Sequence, residues 1–388
     1  MSEPVSAPNV EEIQAPPPEV QHATELAFLE HHDPGPRPPG WRLTPRAAVT
    51  FVCGSRGELL KLPKGARPPE GLPKQLVISE KFVGDRGIVE RSVVTLAGER
   101  GLLLVGEPGT AKSMLSELLA AAISGTSGLT VQGTAGTTED QLRYGWNYAL
   151  LLAKGPVPEA LVPSPVLAAM RGGRVARVEE VTRCLPEVQD ALVSILSDRR
   201  MAVPELGEVL PARKGFNVIA TANLRDRGVS EMSAALKRRF NFETVPPIAD
   251  VAQEVALVKR QATAALARVG EALAVDDVVL GALVTAFRDL RTGKSVEGWS
   301  VEKPSTVMST AECVAVASSL GMHTTYFGEK ADPTALLPGF LLGVVLKDDP
   351  KDRGRLLAYW DGAVKRRAEE KVALWAKLHA LRSILEEH

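Results

Sequence analysis

A glycine-bounded loop between an apolar run and a helical pattern is the first segment of this sequence that could do chemistry. It reads Gly106, Glu107, Pro108, Gly109, Thr110, Ala111, Lys112 and Ser113. Backbone N–H groups at the N-terminus of a helix bind anions, and the helix dipole strengthens that binding. Gly106 and Gly109 permit the unusual backbone angles of such a loop. Lys112 would reach the β and γ phosphates, and the Ser113 hydroxyl would ligate Mg²⁺. The segment predicts a nucleotide site, although the generic pattern has glycine where Ala111 stands; the alternative is a chance turn before an amphipathic helix.

Two adjacent acids form the second candidate. Glu179 and Glu180 end the apolar run that begins at Arg174. At the carboxyl end of a parallel strand, two acids can converge on the crevice where ligands bind. Glu179 would approach the metal, and Glu180 would orient a water molecule as general base. The alternative is a solvated charged turn. Arg177 lies in the same apolar run and requires a buried partner.

Three more polar residues could complete a site for nucleotide hydrolysis. Asn223 ends another apolar run, and its amide can both donate and accept a hydrogen bond. A structural Asx turn is the alternative interpretation. Arg238 and Arg239 stand in a basic run just before Phe240, where they could also simply solvate the end of a helix.

The elements that must position these residues alternate between strands and helices. Apolar runs predict strands over residues 101–105, 129–132, 174–178 and 216–221. Helical periods occur between them, at residues 111–124 and 187–196. Residues 201–210 predict a β-hairpin before the last of these strands. This alternation predicts an α/β fold with a parallel sheet.

Beyond residue 250 the strand signals stop. Helical periods run over residues 251–269, 276–290, 306–320 and 351–388. In the last of them Leu374, Leu378, Leu381 and Leu385 form a stripe, which favours core packing over a coiled-coil contact.

Composition bounds the class of protein. The 388 residues carry 46 basic and 47 acidic side chains, so a globally cationic protein held on nucleic acid is excluded, whereas a local basic patch is not. No apolar run reaches the 18 residues of a membrane span, and the first residues do not resemble a secretory signal. The three cysteines are far apart and favour cytosolic thiols, which predicts a cytoplasmic protein.

The chain divides into five predicted regions. Residues 1–40 hold nine of the 28 prolines and predict a flexible tail with one apolar stretch that could form a short docking helix. The remaining regions are an accessory arm at 41–75, the nucleotide-binding core at 76–250, a helical lid at 251–330 and a helical extension at 331–388.

These motifs resemble the AAA+ ATPases, and in particular their MoxR-like branch. The phosphate loop of that branch commonly has alanine before the lysine, so Ala111 fits it. The run Glu179-Glu180-Val181-Thr182-Arg183 resembles the family's second acidic motif, with Glu179 in place of aspartate. The resemblance covers residues 76–325 and implies a P-loop α/β core with a helical lid, ATP and Mg²⁺ as cofactors, and ATP hydrolysis.

The resemblance also assigns roles. Asn223 corresponds to the sensor 1 residue. Arg239, with Arg238 as helper or substitute, corresponds to an arginine finger that reaches the neighbouring subunit's γ-phosphate and so implies a homo-oligomeric ring, expected to be a hexamer. The lid departs from the pattern, since Lys303 stands near the place where a sensor 2 arginine is usual. The branch often acts on protein clients with a partner that carries a von Willebrand A domain.

Alternatives remain open at this stage. Tyr144, Trp146 and Tyr148 concentrate aromatic side chains in a chain that is only 5% aromatic, and they either grip a client or pack in the core. The AAA+ core also fits a nucleic-acid-directed motor, against which the near-zero net charge argues. A nucleotide-gated scaffold with little turnover would account for Glu179 and the missing arginine. A small-molecule kinase would leave Asn223 and Arg239 unexplained.

Overall fold

A computed structural model describes residues 13–65, 68–223, 232–268, 275–328, 332–347, 349–370 and 372–386. The chain divides into two compact units at Pro246, and the loop residues Pro108–Thr110 are grouped with the second unit. None of the helices among the described residues is long and apolar enough to cross a membrane.

The first unit contains ten α-helices, three short 3₁₀ helices and eleven strands among the described residues. The helices are α1 Pro18–Gln21, α2 Ala23–His32, α3 Pro45–Cys53, α4 Arg86–Ala97, α5 Lys112–Ser124, α6 Glu139–Leu142, α7 Tyr148–Lys154, α8 Pro165–Gly172, α9 Pro186–Asp198 and α10 Ala234–Lys237. The strands are β1 Leu60–Lys61, β2 Gln75–Leu76, β3 Gly101–Val105, β4 Thr130–Gln132, β5 Tyr144–Trp146, β6 Leu161–Pro163, β7 Val175–Glu179, β8 Arg200–Val203, β9 Glu208–Pro211, β10 Asn217–Ala222 and β11 Phe240–Thr244.

Five of these strands form a parallel sheet in the order β11-β3-β10-β7-β4. Every residue of β3, β7 and β10 is buried, because helices cover both faces of a parallel sheet. The predicted α/β fold with a parallel sheet is confirmed. Strand β11 was not predicted, because Phe240 is the one buried residue of the five in this edge strand, and its apolar signal is weak.

Three two-stranded antiparallel sheets accompany the parallel sheet among the described residues, and the first pairs β1 with β2. Strands β8 and β9 pair with Met201 opposite Leu210, which confirms the predicted hairpin. Strands β5 and β6 pair in a second hairpin, and α7 lies between them in the chain.

The N-terminal segment differs from its prediction. Helix α2 buries Leu26, Phe28 and Leu29 in the same core cluster as Phe51 of α3. The Lys81 ammonium forms a buried ion pair with Glu25, and it also donates to the Phe51 carbonyl at 3.0 Å. The apolar stretch that the sequence offered as a short docking helix lies within α2 and docks as one. Residues 18–21 of the predicted flexible tail also form a helix, whereas residues 1–12 lie outside the described part. The sequence did not identify the partners of this helix, because Phe51 and Lys81 lie further along the chain.

His22 makes this docking dependent on pH. Burial and the nearby Lys81 ammonium lower the pKa of His22 from 6.5 to about 4, and the ring meets Phe51 edge-on at 5.9 Å. Between these two values the unfolded chain binds the proton and the folded chain does not, so stability falls as pH drops from 6.5 towards 4. We expect His22→Gln to reduce the loss of melting temperature over this range by a few degrees. Thermal melts at pH 7.5, 6.5, 5.5 and 4.5 measure it, with His31→Gln of α2 as the matched control. Parallel profiles for wild type and His22→Gln would contradict the assignment.

The regular elements of the second unit are helices among its described residues, and a non-helical segment at 293–309 contains an isolated antiparallel bridge between Lys294 and Ser300. Its helices are α11 Val251–Ala267, α12 Asp277–Thr292, α13 Thr310–Phe327, α14 Pro333–Val345, α15 Asp352–Tyr359, α16 Lys365–Glu369 and α17 Ala373–Ala380, with a π-helical turn at Trp360–Val364 and a 3₁₀ turn at Arg382–Leu385. Helix α14 was not predicted as a separate element, because it is apolar nearly all round and contains Pro338. Leu378 and Leu385 are buried, which confirms the core interpretation of the leucine stripe.

A buried carboxylate ties three helices of this unit together. Glu254 of α11 is fully buried and accepts hydrogen bonds from Arg288 and Arg291 of α12 and from Thr310 at the start of α13. Because a buried charge is stable only when it is paired, this cluster holds α11, α12 and α13 in one arrangement.

Candidate nucleotide-binding site

The predicted loop joins β3 to α5, as the sequence required. Within it, Gly109 and Ala111 adopt positive φ angles of 74° and 63°, whereas Gly106 does not. Glycine takes this conformation without cost, so the alanine at 111 carries a strain of about 1–2 kcal/mol. The following 13-residue helix leaves its first N–H groups without partners inside the helix, and N–H groups in this position can bind an anion.

Lys112 folds back over this loop. Its side chain is largely buried, and its ammonium donates to the carbonyls of Gly106 at 3.0 Å and Glu107 at 2.7 Å. The structure therefore holds a positive charge within the loop, where phosphate oxygens would need it.

Glu179 lies directly beside Ser113, at the end of β7. One carboxylate oxygen, Oε2, accepts hydrogen bonds from the Ser113 hydroxyl at 2.8 Å and the Thr221 hydroxyl at 2.7 Å. The other, Oε1, accepts from Ser116 and from Arg177. The structure brings together the two residues that the sequence predicted as metal ligands.

The charge state of Glu179 follows from these contacts. Burial alone would raise the pKa of Glu179, but the hydrogen bond from Ser116, the Arg177 guanidinium and the Thr221 and Ser113 hydroxyls together lower it. Glu179 is therefore an anion at neutral pH. An ionised carboxylate next to a hydroxyl is an oxygen donor set that fits Mg²⁺, which takes one or two carboxylates from a protein.

Glu180 points away from this cluster. Its backbone has a left-handed φ of 51°, which turns the chain out of β7, and its N–H donates to the Thr221 hydroxyl at 2.9 Å. Its carboxylate stays partly exposed and pairs with Arg183 at 2.6 Å. The two adjacent acids therefore occupy different environments, one buried and anchored, the other accessible. Strained backbone at such a point is typical of functional sites.

Asn223 follows β10 at the same edge of the sheet. In the strand register, Ala222 lies opposite Val105, the last residue before the phosphate loop. Asn223 is buried, with 8% of its surface exposed. It is the last described residue before the gap at 224–231. Since β10 lies between β3 and β7, Asn223 stands between the loop and the acidic pair.

Arg239 lies at the opposite end of the sheet from these residues. Its carbonyl accepts the N–H of Gly101, at the start of β3, whereas the phosphate loop follows the end of that strand. Five residues of strand separate the two, about 16 Å at 3.3 Å per residue. The Arg239 guanidinium donates to Ser197 at 2.8 Å and to the Ala235 carbonyl at 3.1 Å, and Arg238 is exposed. The structure does not bring Arg238 and Arg239 to their own chain's loop.

Three residues of the cluster had no predicted role. Ser116 lies one turn after Ser113 on the same face of α5, and Thr221 shares a strand face with Asn223, so helical and strand spacing could have indicated both. Arg177 was expected to need a buried partner, and Glu179 is that partner. Lys303, the candidate substitute for sensor 2, is exposed in a non-helical segment before α13, and its role stays a prediction.

The first unit has the arrangement of a P-loop nucleotide-binding core: a parallel sheet, a phosphate loop after one strand and an anchored acid at the end of another. The comparison with known protein families gives the same class. Residues 101–240 match the AAA domain of the dynein-related subfamily, and residues 252–386 match the YehL-like AAA+ ATPase C-terminal domain. The protein YehL of Escherichia coli (strain K12) is 48% identical over 97% of this chain and 99% of its own length. The chain belongs to the YehL-like AAA+ ATPase family.

More distant similarity reaches other bacteria. The protein SH1500 of Staphylococcus haemolyticus is 30% identical over 50% of this chain and 69% of its own length. Among solved structures, NtrX from Brucella abortus in complex with ATP is similar over 78% of this chain and 69% of that chain, with a TM-score of 0.47 and 15% identity.

Proposed function

We propose that this protein hydrolyses ATP as a ring of identical subunits and uses the energy to remodel a protein client in the cytoplasm. One observation carries the proposal: Glu179 is anchored beside Ser113 while Glu180, the next residue, is turned outward and accessible. A buried metal-binding acid followed by an accessible one is the arrangement that hydrolysis of a nucleotide needs.

Each residue has a distinct task in the proposed mechanism. The N–H groups of residues 106–113 and the Lys112 ammonium bind the phosphates. Ser113 and Glu179 would hold Mg²⁺, which when bound draws negative charge from the phosphate oxygens. Glu180 leaves Arg183 and accepts a proton from the attacking water as the water oxygen bonds to the terminal phosphorus. The bond from that phosphorus to the β,γ-bridging oxygen breaks in the same step, and ADP leaves with the bonding electron pair on that oxygen. Asn223 orients that water through its amide.

The position of Arg239 supports a ring. An arginine that lies a strand's length from its own phosphate loop can stabilise the transition state only in a neighbouring subunit. We expect the ring to be a hexamer, with the active site shared across each interface.

The client contact that we favour is the hairpin insert formed by β5, α7 and β6. Helix α7 has no buried residue, and Tyr148 and Leu152 are 71% and 89% exposed. Tyr144, by contrast, is buried, and its hydroxyl donates to the Glu205 carboxylate at 2.9 Å, so it anchors the insert to the rest of the unit. Exposed apolar side chains on a supported helix suit a protein partner.

The client, a MoxR-like role and a partner with a von Willebrand A domain belong to the proposal alone. The near-zero net charge argues against nucleic acid as the substrate.

Nucleotide binding is the first property to test. We expect ATP or ADP with Mg²⁺ to stabilise wild type against thermal unfolding, by about 2.7 kcal/mol when the nucleotide is at one hundred times its Kd. Lys112→Ala should lose most of this stabilisation, because the loop then lacks its buried cation. Lys154→Ala, which removes an exposed lysine from α7, is the matched control and should behave as wild type. The same titration with GTP measures base preference. If neither nucleotide stabilises wild type, the proposed function is wrong.

A further inference from the structure

Arg177 is an unusual residue for the middle of a buried strand. It lies in β7, two positions before Glu179, and is 6% exposed. Its guanidinium donates to the Ser116 hydroxyl at 2.9 Å, to the Ser127 carbonyl and the Thr130 hydroxyl at 3.0 Å each, and to Glu179 Oε1 at 2.8 Å. An unpaired cation in this position would be strongly destabilising, so these contacts are what keeps Arg177 inside.

The two carboxylate oxygens of Glu179 have different hydrogen-bond partners. Arg177 and Ser116 bind only Oε1, and Oε2 is left facing Ser113 and Thr221. Glutamate has one more rotatable bond than aspartate, so its carboxylate needs more restraint to occupy one position. A planar guanidinium with several donors supplies such restraint better than a single-point contact.

We propose that Arg177 is a positioning residue, which holds the Glu179 carboxylate by Oε1 so that Oε2 is presented to Mg²⁺ beside Ser113. The inference rests on the proposed nucleotide function. It explains how a glutamate serves at a place where aspartate is usual, since the longer side chain is tied back by a cation on its own strand.

Binding of ADP, measured by calorimetry across a range of Mg²⁺ concentrations and again in excess chelator, tests the inference. In Arg177→Met we expect the Mg²⁺ concentration for half-maximal enhancement of ADP binding to rise about 10- to 100-fold, the usual loss when the support of a metal ligand is removed. ADP affinity in chelator should change by less than about twofold, because Arg177 meets the phosphate loop at its last residue, as a donor to the Ser113 carbonyl at 3.3 Å, and not at the N–H groups that would bind the phosphates. A merely structural role would weaken both. The matched control is Glu117→Gln, which removes the other carboxylate near Arg177, 3.7 Å away, and should behave as wild type.

A double variant shows whether Arg177 acts through Glu179. Glu179→Gln should raise the Mg²⁺ concentration for half-maximal enhancement of ADP binding. The double variant with Arg177→Met should need no more Mg²⁺ than Glu179→Gln alone. This pair also guards against failure to fold, because removing both charges leaves no buried ion without its partner. An unchanged Mg²⁺ requirement in Arg177→Met, or a further loss in the double variant relative to Glu179→Gln, would overturn the inference. Absence of ADP binding by wild type would instead overturn the proposed function.

Discussion

Replacement of Arg239 by alanine is expected to lower steady-state ATP hydrolysis by about 10³- to 10⁵-fold, the range that a guanidinium at the transition state contributes. Nucleotide binding should be unchanged, because Arg239 lies at the other end of the sheet from the phosphate loop of its own chain. Phosphate release and a nucleotide-dependent thermal shift measure the two effects separately. Lys237→Ala, an exposed lysine on α10 just before it, is the matched control and should retain activity.

Mixing two inactive variants tests whether the arginine acts across an interface. Arg239→Ala subunits keep Glu180, and Glu180→Gln subunits keep Arg239. If the finger is supplied by a neighbour, mixed rings contain some complete sites, and hydrolysis should return to a measurable fraction of the wild-type rate. A mixture as inactive as either variant alone, with mixed rings demonstrated by tagged subunits, would show that the trans assignment is wrong.

Glu180→Gln should bind ATP with Mg²⁺ as wild type does and hydrolyse it about 10²- to 10⁴-fold more slowly. Glutamine keeps the size and the backbone N–H bond to Thr221 but cannot accept the proton of the attacking water. Phosphate release under saturating ATP measures the loss, and Glu187→Gln, an exposed acid on α9, is the control. If wild type is no faster than Glu180→Gln, the protein is a nucleotide-gated scaffold rather than an enzyme.

The same variant, held in the ATP-bound state, should retain its client during purification. Adding Leu152→Ser or Tyr148→Ser should release that client without changing ATP binding, since both side chains project from α7 into solvent. Retention of the client in these double variants would place the contact elsewhere on the chain.

The signals that predicted the core are local ones. A fully apolar strand, a glycine-bounded loop and an amphipathic helix follow one another over residues 101–124, so their order in the chain is also their order in space. The hairpin β8–β9 is likewise formed by neighbouring segments of the chain, and Glu179 directly follows the apolar residues of β7. Glu179 could be placed near the loop because parallel strands end at one edge of the sheet.

The predictions that went wrong or were missing concern contacts between distant segments. Helix α2 docks through Glu25 and Lys81, which are 56 positions apart, and proline-rich composition gave no sign of that partner. Strand β11 buries one of its five residues, Phe240, so its apolar pattern was too weak to separate it from the basic run before it.

The sequence by itself determined the P-loop class of this protein, the loop that would bind phosphate and the two acids that would complete the site. Only the tertiary structure decided how Glu179 is held, since its partners Ser116, Thr221 and Ser113 lie 63, 42 and 66 positions away. It alone also separated Arg239 from the phosphate loop of its own chain. The physical reason is the same in both cases: spacing along a chain specifies which side chains share a strand or a helix face, whereas pairing between strands and helices specifies which faces meet.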